Sequence, residues 1–535
     1  MIVLQSESEL LTISEAAQWA SDFLHKNVTD SNINYLIQYG RINKFVCDNE
    51  TLVNINELQK YYEDNVLPKE EQCKKVLGDN INWHLSFADV KESDRTKHVH
   101  RIHPYKGKFI PQLVEYFLDE HVDEFKKTTF FHKGDVVIDP FSGSGTTLIE
   151  ANELGIHSIG IDISQFNAII TKVKFANVDL SALRKHINHI MLMLQESEYV
   201  SAIEKFEKEL DEVLKRFNDM YFTSPEFKKV FRDGEVSKEY ILDKEEQAKQ
   251  QFNTLVINSG IDDVMRYNGL IDNGRFIDKW LLPSVNYEVV QMANYIMDVA
   301  DDDVRMALQV ILSRAVRSAR ATTHMDLDRL KEPQLLPYYC FKHFKICVPP
   351  FSIVSYFKRY ANDTVKRLAD YQKIKTNAYQ DVLIGDSAHI DVLEQLKQQH
   401  FELWQLLKDK KAQGIFTSPP YLGQLDYHEQ HAYAYELFGI PRLDDLEIGA
   451  AFKGTNIKAQ QEYINGISAV LINMKRYLAD NAHIFIVAND KYNLYHQIAQ
   501  MSGLKIVEEF KRPVLNRTAR DKMPYSETIF HMCTK

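Results

Sequence analysis

Apolar positions along the chain follow two rhythms. Short unbroken runs predict strands at Val136-Val137-Ile138, Ile156 to Ile161, Val382-Leu383-Ile384, Gly414-Ile415-Phe416, Ile484 to Ala488, Lys505 to Glu509 and Glu527 to Met532. Helical spacing predicts helices over 112–125 and Thr146 to Leu154. From about Asn177 to Tyr379 the strand rhythm stops. There Ile203, Phe206, Leu210, Val213, Leu214 and Phe217 recur at helical spacing, and further helices are predicted over Val285 to Val299 and Val304 to Ala321. This reads as a mostly helical insertion, 177–379, between two parts of an α/β domain, 101–176 and 380–535, and it is long enough to be a domain itself.

Residues 1–65 have their own pattern. Thr12-Ile13-Ser14-Glu15 is a capping box opening a helix that carries Ala16, Ala17, Ala20 and Leu24 on one face. Thr29 can cap a second helix with Ile33, Leu36 and Ile37, stopped at Gly40. A hairpin around Asp48-Asn49 and a third helix from Asn54 or Asn56 complete the unit. Residues 66–100 are charged, show no clear periodicity and read as a linker.

At 535 residues the chain suggests roughly three domains. Its 44% hydrophobic and 26% charged residues are ordinary for a globular protein. A formal charge of −11 and a pI near 6.0 count mildly against nucleic-acid binding, because phosphate contacts need a positive surface. The distribution changes that picture. Between Ile311 and Gln380 there are 13 Lys and Arg against 5 Asp and Glu, a local excess of +8. Arg314, Arg317 and Arg320 recur every three residues on one predicted helix flank, and Lys358 and Arg359 continue the positive stretch among Tyr356, Phe357 and Tyr360. Basic groups interleaved with aromatics suit a nucleic-acid groove. A second basic run, Lys511 to Lys522, places Arg512, Arg517 and Arg520 in a loop expected on a DNA backbone.

Five cysteines, irregularly spaced, predict no disulfide framework and a reducing cytosol. With no apolar run of spanning length and no signal peptide at the start, a cytoplasmic location is expected and no membrane partner. Cys340-x-x-His343-x-x-x-Cys347 supplies three possible ligands, but a structural zinc site needs four and no partner pair is evident. No metal is assigned; the thiols are expected to be buried beside a strand.

Two stretches carry chemistry. Asp139-Pro140-Phe141-Ser142-Gly143-Ser144-Gly145 joins a strand to a helix, a turn that lets backbone approach a ligand closely. Asp162, about 20 residues on at the end of the next strand, suits the two hydroxyls of a ribose. Thr417-Ser418-Pro419-Pro420-Tyr421 follows another strand, with two prolines fixing the backbone and Tyr421 offering an aromatic face.

Together these stretches resemble motifs I and IV of the S-adenosylmethionine-dependent methyltransferases that modify exocyclic amines of DNA bases. The resemblance implies a Rossmann-like α/β sheet with a C-terminal antiparallel hairpin, here with the large helical insertion and the small N-terminal unit. It implies a cofactor, S-adenosyl-L-methionine, held by Asp139, Phe141, Ser142, Gly143, Ser144, Gly145 and Asp162. Arg101 to Pro111 looks like motif X, so Lys106 or Lys108 is expected at the donor's carboxylate, with Phe109 beside it. Gly385-Asp386 looks like motif III, putting Asp386 at the donor's adenine. Ser418, Pro419, Pro420 and Tyr421 would hold the target amine, and His428 or His431 could lie near it.

Ser as first letter of motif IV leans to N4 of cytosine; N6 of adenine is the alternative, and a non-catalytic DNA-binding regulator a further one. C5 methylation would need a cysteine, commonly after proline, and none of the five follows one. The implied partners are double-stranded DNA and a restriction endonuclease or defence subunit on a separate chain. Residues 1–65 resemble the winged helix-turn-helix of excisionase- and MerR-type proteins, whose second helix here would offer Ser31, Asn32, Asn34, Tyr35 and Gln38 to base edges. The insertion is expected to carry target recognition.

Overall fold

A computed structural model describes residues 10–24, 27–47, 50–65, 73–78, 80–261, 274–327, 330–515 and 524–534. In chain order its strands are β1 (Leu10–Thr12), β2 (Phe45–Cys47), β3 (Glu50–Asn54), β4 (Val136–Asp139), β5 (His157–Asp162), β6 (Tyr338–Cys340), β7 (Lys345–Cys347), β8 (Gln380–Ile384), β9 (Ala412–Thr417), β10 (Leu478–Ala488), β11 (Leu504–Val514) and β12 (Tyr525–Thr534). They belong to two compact units, each assembled from separated segments: 80–193, 289–317 and 354–535 form one, and 1–79, 194–288 and 318–353 the other.

The first unit is built on a seven-stranded sheet ordered β11-β12-β10-β9-β4-β5-β8. Strands β10, β9, β4, β5 and β8 are parallel; β12 runs antiparallel between β10 and β11. Successive side chains on the apolar strands feed opposite layers, as strand geometry dictates. Val136 and Ile138 pack with Ile159, Ile415 and Ile484 against the helix Ile457–Lys475. Val137 packs with Phe416 and Phe485 against Leu113 and Phe117 of the helix Pro111–Leu118. From β4 the chain moves outward through β5 to β8, then returns to β9 on the other flank of β4. Connections therefore leave β4 and β9 in opposite directions, and the crevice at such a reversal is where open α/β sheets bind ligands.

Two expectations are revised in this unit. Residues 80–100 are not a linker: Leu85, Val99 and His100 are buried in the unit. The helix predicted over 112–125 ends at Leu118. There the buried Lys126 ammonium donates to the carbonyls of Tyr116 and Asp119 and to the Asp119 carboxylate. Asp123 Oδ1 accepts from the Phe125 and Lys126 amides, turning the chain back.

The second unit contains the N-terminal helices Ile13–Leu24, Asp30–Gln38 and Ile55–Asn65 and the antiparallel sheet β1-β3-β2. The Thr12–Glu15 box forms as expected, with Glu15 Oε2 accepting from the Thr12 amide at 2.9 Å and Thr12 Oγ1 accepting from the Glu15 amide at 3.3 Å. Ala16, Ala20, Ile33, Leu36, Val53, Leu58 and Tyr62 make its core. The Asp48-Asn49 turn lies outside the described residues. The predicted single insertion does not stay whole. Residues 194–288 and 318–353 join the N-terminal segment, whereas 289–317 and 354–379 build onto the sheet unit. Part of it is not helical, because β6 and β7 form a short antiparallel hairpin.

Candidate active site

The turn after β4 and the turn after β9 open on the same cleft. β4 and β9 are neighbours in register, Val137 opposite Gly414 and Ile138 opposite Ile415. The cleft is lined by Asp139, Phe141, Ser142, Gly143 and Ser144 on one side and by Ser418 and Pro420 on the other.

The glycine turn is shaped by specific close approaches. Gly143 has φ +48°, and a Cβ there would lie 2.8 Å from Tyr105 Oη. Gly145 has φ +72°, and a Cβ would lie 2.5 Å from Thr171 Cγ2. Left-handed φ and missing space together demand glycine at both positions. The helix Thr146–Glu153 starts directly afterwards. Lys174, fully buried, donates to the carbonyl of Ser144 and fixes the turn from behind.

Asp162 ends β5 and closes over the turn. One carboxylate oxygen accepts from the Gly143 amide at 2.8 Å; the other accepts from the Ser164 amide at 2.8 Å and from Asn167 Nδ2 at 3.1 Å. Burial pushes its carboxyl up to about 7 despite these donors. Asp139 is pushed up to about 6 by burial; its Oδ1 accepts from the Phe141 amide at 3.2 Å and from Thr417 Oγ1 at 2.6 Å.

Ser142 Oγ, Ser144 Oγ and Thr146 Oγ1 line this cleft, are buried, and have no hydrogen-bond partner among the described residues. Interiors rarely tolerate such orphans, so the turn is arranged for a polar ligand. Two acids, three unsatisfied hydroxyls and the helix start fit the amino-acid and ribose parts of S-adenosylmethionine.

Other expected residues fall as follows. Phe109 and Asp386 line the cleft; Phe109 packs edge-on to Phe416, and Asp386 Oδ1 accepts from the Ala388 amide. Of the motif X lysines, Lys108 lines the cleft and Lys106 is not among its lining residues. Lys108 donates to the His100 carbonyl at 2.7 Å, and burial pushes its ammonium down to about 8. Pro419 is buried. Tyr421 stands beside the cleft rather than in its lining, with Oη donating to Glu527 Oε1 at 2.9 Å. His428 is buried against Glu447 at 3.1 Å, and His431 packs among His103, Tyr105 and Phe166.

Sequence reasoning missed several lining groups. Tyr105, Asn167, Tyr427 and Glu447 all face the cleft. Tyr105 sits in the motif X stretch and was within reach; Glu447 lies in a segment without any motif, and only the fold brings its carboxylate to the Tyr427 and His428 amides.

The arginines expected on a DNA surface divide sharply. Arg314 is 6% exposed, pairs with Asp363 at 2.6 Å and lies over the Tyr360 ring, so its charge is spent inside the sheet unit. Arg320 falls beyond the helix Asp302–Ser318, is 6% exposed and donates to the Leu327 carbonyl; it shares no helix flank with Arg317. Arg512 is 6% exposed and lies 3.7 Å from Glu527. These three assignments to a DNA surface are therefore corrected. Arg317 is partly exposed, Lys358 and Arg359 are exposed, and Arg517 and Arg520 lie outside the described residues.

Comparison with known proteins converges with this geometry. A model of the N6/N4 methyltransferase family, described as DNA methylase, matches residues 17–172. The Type II methyltransferase M.MjaII of Methanocaldococcus jannaschii is 46% identical over 530 residues, covering 99% of this chain and 98% of that protein. The Type II methyltransferase M.MvaI of Kocuria varians is 30% identical over 129 residues, 24% of this chain and 26% of its own. M.BsoBI of Geobacillus stearothermophilus, also a Type II methyltransferase, is 36% identical over 83 residues, 16% and 15% of the two chains. No helix among the described residues is long and apolar enough to cross a membrane. With a relative matched along nearly its whole length and a cleft built at the sheet reversal, the chain belongs to the N6/N4 amino-methyltransferase family of DNA methylases, which take their methyl group from S-adenosylmethionine.

Proposed function

We propose that this methylase modifies the N4 amine of cytosine at a specific site in double-stranded DNA, with the base turned out of the duplex into the cleft. The carrying observation is that Ser418, the first letter of the proline turn, lines the same cleft as the Asp139–Gly145 turn.

Bound S-adenosylmethionine supplies an electrophilic methyl group on a sulfonium. The protein's part is to hold and orient. Asp162 would accept from a ribose hydroxyl, Asp386 would receive the adenine amine, and the Ser142, Ser144 and Thr146 hydroxyls would take the amino-acid end. An exocyclic amine is a weak nucleophile because its lone pair is delocalised into the ring. Ser418 Oγ and the Pro419 carbonyl accept its two hydrogens and draw the nitrogen toward tetrahedral geometry, so transfer becomes a matter of positioning. Tyr421, its hydroxyl tied to Glu527, offers a ring held in place for the extruded base.

Recognition is assigned to the unit containing residues 10–65 and most of the insertion. Its helix Asp30–Gln38 exposes Ser31, Asn32, Asn34, Tyr35 and Gln38, polar groups of the kind that read base edges. Lys358 and Arg359 in the sheet unit supply phosphate contacts. A restriction endonuclease on a separate chain is the proposed companion.

The test is direct. Unmethylated DNA is incubated with the enzyme and S-adenosylmethionine, digested to nucleosides and weighed by mass spectrometry. N4-methylcytosine is expected; N6-methyladenine in its place would overturn the cytosine assignment while leaving the DNA methylase intact.

A further inference from the structure

The notion that the Cys340-x-x-His343-x-x-x-Cys347 stretch lacks a fourth ligand does not survive folding. His324, 16 residues before Cys340, comes to the same point. We propose that His324, Cys340, His343 and Cys347 bind one structural zinc ion.

The four ligand atoms already stand together. One ligating atom from each of the four side chains lies within 4.8 Å of all the others. Cys340 Sγ is 3.7 Å from His324 Nδ1, and Cys347 Sγ is 3.7 Å from His343 Nδ1. Zinc bonds of about 2.3 Å to sulfur and about 2.0–2.1 Å to nitrogen place sulfur and nitrogen about 3.6 Å apart on a tetrahedron. The donor set also selects the metal: two thiolates and two imidazoles in tetrahedral array suit zinc. Two thiolates balance the dication, so the filled site is neutral, as its burial requires. Cys340 and Cys347 are 2% and 8% exposed, and both are free thiols. On binding, each thiol releases its proton to solvent.

Local geometry explains why these four converge. In the β6–β7 hairpin Tyr338 faces Cys347 and Cys340 faces Lys345, so Cys340 and Cys347 lie on one face of the ribbon. The Cys340 carbonyl accepts from the His343 amide at 3.1 Å and the Phe344 amide at 2.7 Å, and Phe344 adopts φ +56°. That tight turn folds His343 back over Cys340. The His324 amide donates to Tyr338 Oη at 3.2 Å, which brings the preceding loop onto the same face. Tyr338 Oη also lies 2.9 Å from His324 Nδ1, a lone pair it yields when the ion is bound there.

The hairpin has reason to need a staple. Its strands are three residues each, and two-stranded ribbons are marginal in water. Two side chains hold it from outside: Asn218 pairs with both the amide and the carbonyl of Ile346, and Glu245 accepts from the Tyr339 amide. Among the described residues, these bonds of theirs go to the hairpin and not to the loop that carries His324. Zinc would join that loop to the hairpin, fixing the path of 318–353 within its unit. The proposal is independent of which base the enzyme methylates.

The full-length protein, purified in reducing buffer without chelator, should contain one zinc per chain by plasma mass spectrometry. X-ray absorption at the zinc edge should show two sulfurs at about 2.3 Å and two nitrogens at about 2.0–2.1 Å. Cys347→Ser and His324→Ala should lose the metal, His324→Cys should keep it with a third sulfur, and Cys73→Ser should keep it unchanged. Should the losing variants fail to fold, the absorption spectrum of the unaltered chain decides. Substoichiometric metal after refolding with zinc, a shell dominated by oxygen, or a Cys340–Cys347 disulfide in the reduced protein would each overturn the assignment.

Discussion

Thr417 Oγ1 donates to Asp139 Oδ1 across 2.6 Å, joining residues 278 positions apart. This bond ties the end of β9 to the end of β4, so the two turns cannot drift relative to each other. Thr417→Val keeps the shape and removes the donor. The buried Asp139 carboxylate then keeps only the Phe141 amide and the Thr147 side chain. Losing one hydrogen bond to a charged group costs about 1.5–3 kcal/mol. Urea denaturation should show a loss of that size, donor affinity should fall with it, and Thr417→Ser should restore both.

Ser418 and Asp162 should separate the two pockets. Ser418→Ala removes one acceptor for the target amine and touches none of the groups assigned to the donor. Transfer should be abolished while calorimetry finds near-normal S-adenosylmethionine binding. Asp162→Ala should do the reverse first, weakening the donor. Loss of donor binding in Ser418→Ala would mean that the pockets are misassigned.

The strands that build this cleft were legible because each is an unbroken apolar run bounded by a turn, as Val136 to Ile138 and Gly414 to Phe416 show. The glycine turn was legible because positive φ leaves glycine as the permissive choice at 143 and 145. The fate of the arginines was not. Nothing near Arg314 in sequence announces Asp363, and a spacing of three says which residues share a flank, not whether that flank faces water. His324 was hidden for the same reason: a ligand contributed by a distant loop leaves no local spacing to read. The end of the helix at Leu118 depended on Lys126, a residue type whose burial sequence statistics do not foresee.

Arg314 and Lys358 therefore make opposite predictions. Arg314→Ala removes the buried partner of Asp363, which is 30% exposed and keeps its bond to Arg367, so the loss should be about 1–3 kcal/mol of stability. It should leave the salt dependence of DNA binding unaltered in protein that remains folded. Lys358→Ala or Arg359→Ala should cost little stability and lower the slope of log K against log salt by about one each. Titrations of DNA binding across salt concentration check both.

Asp162 should make donor binding depend on pH near neutrality. Its carboxylate offers about four acceptor positions, and the Gly143, Ser164 and Asn167 donors take three. A proton on the carboxyl competes with the ribose for what is left. Burial has raised this group to about 7, so donor affinity should rise as pH climbs through 7 and weaken by about tenfold per unit well below it. Stability runs the other way. A folded value raised above the ordinary one favours the protonated form, so the contribution to folding is full at acid pH and is lost as pH rises through about 7. Melting temperatures with and without S-adenosylmethionine, taken between about pH 5.5 and 8, should diverge as pH increases, because the ligand recovers what ionisation of the empty site costs. The same series on Asp162→Asn should show a ligand-induced shift that is small and flat across that range.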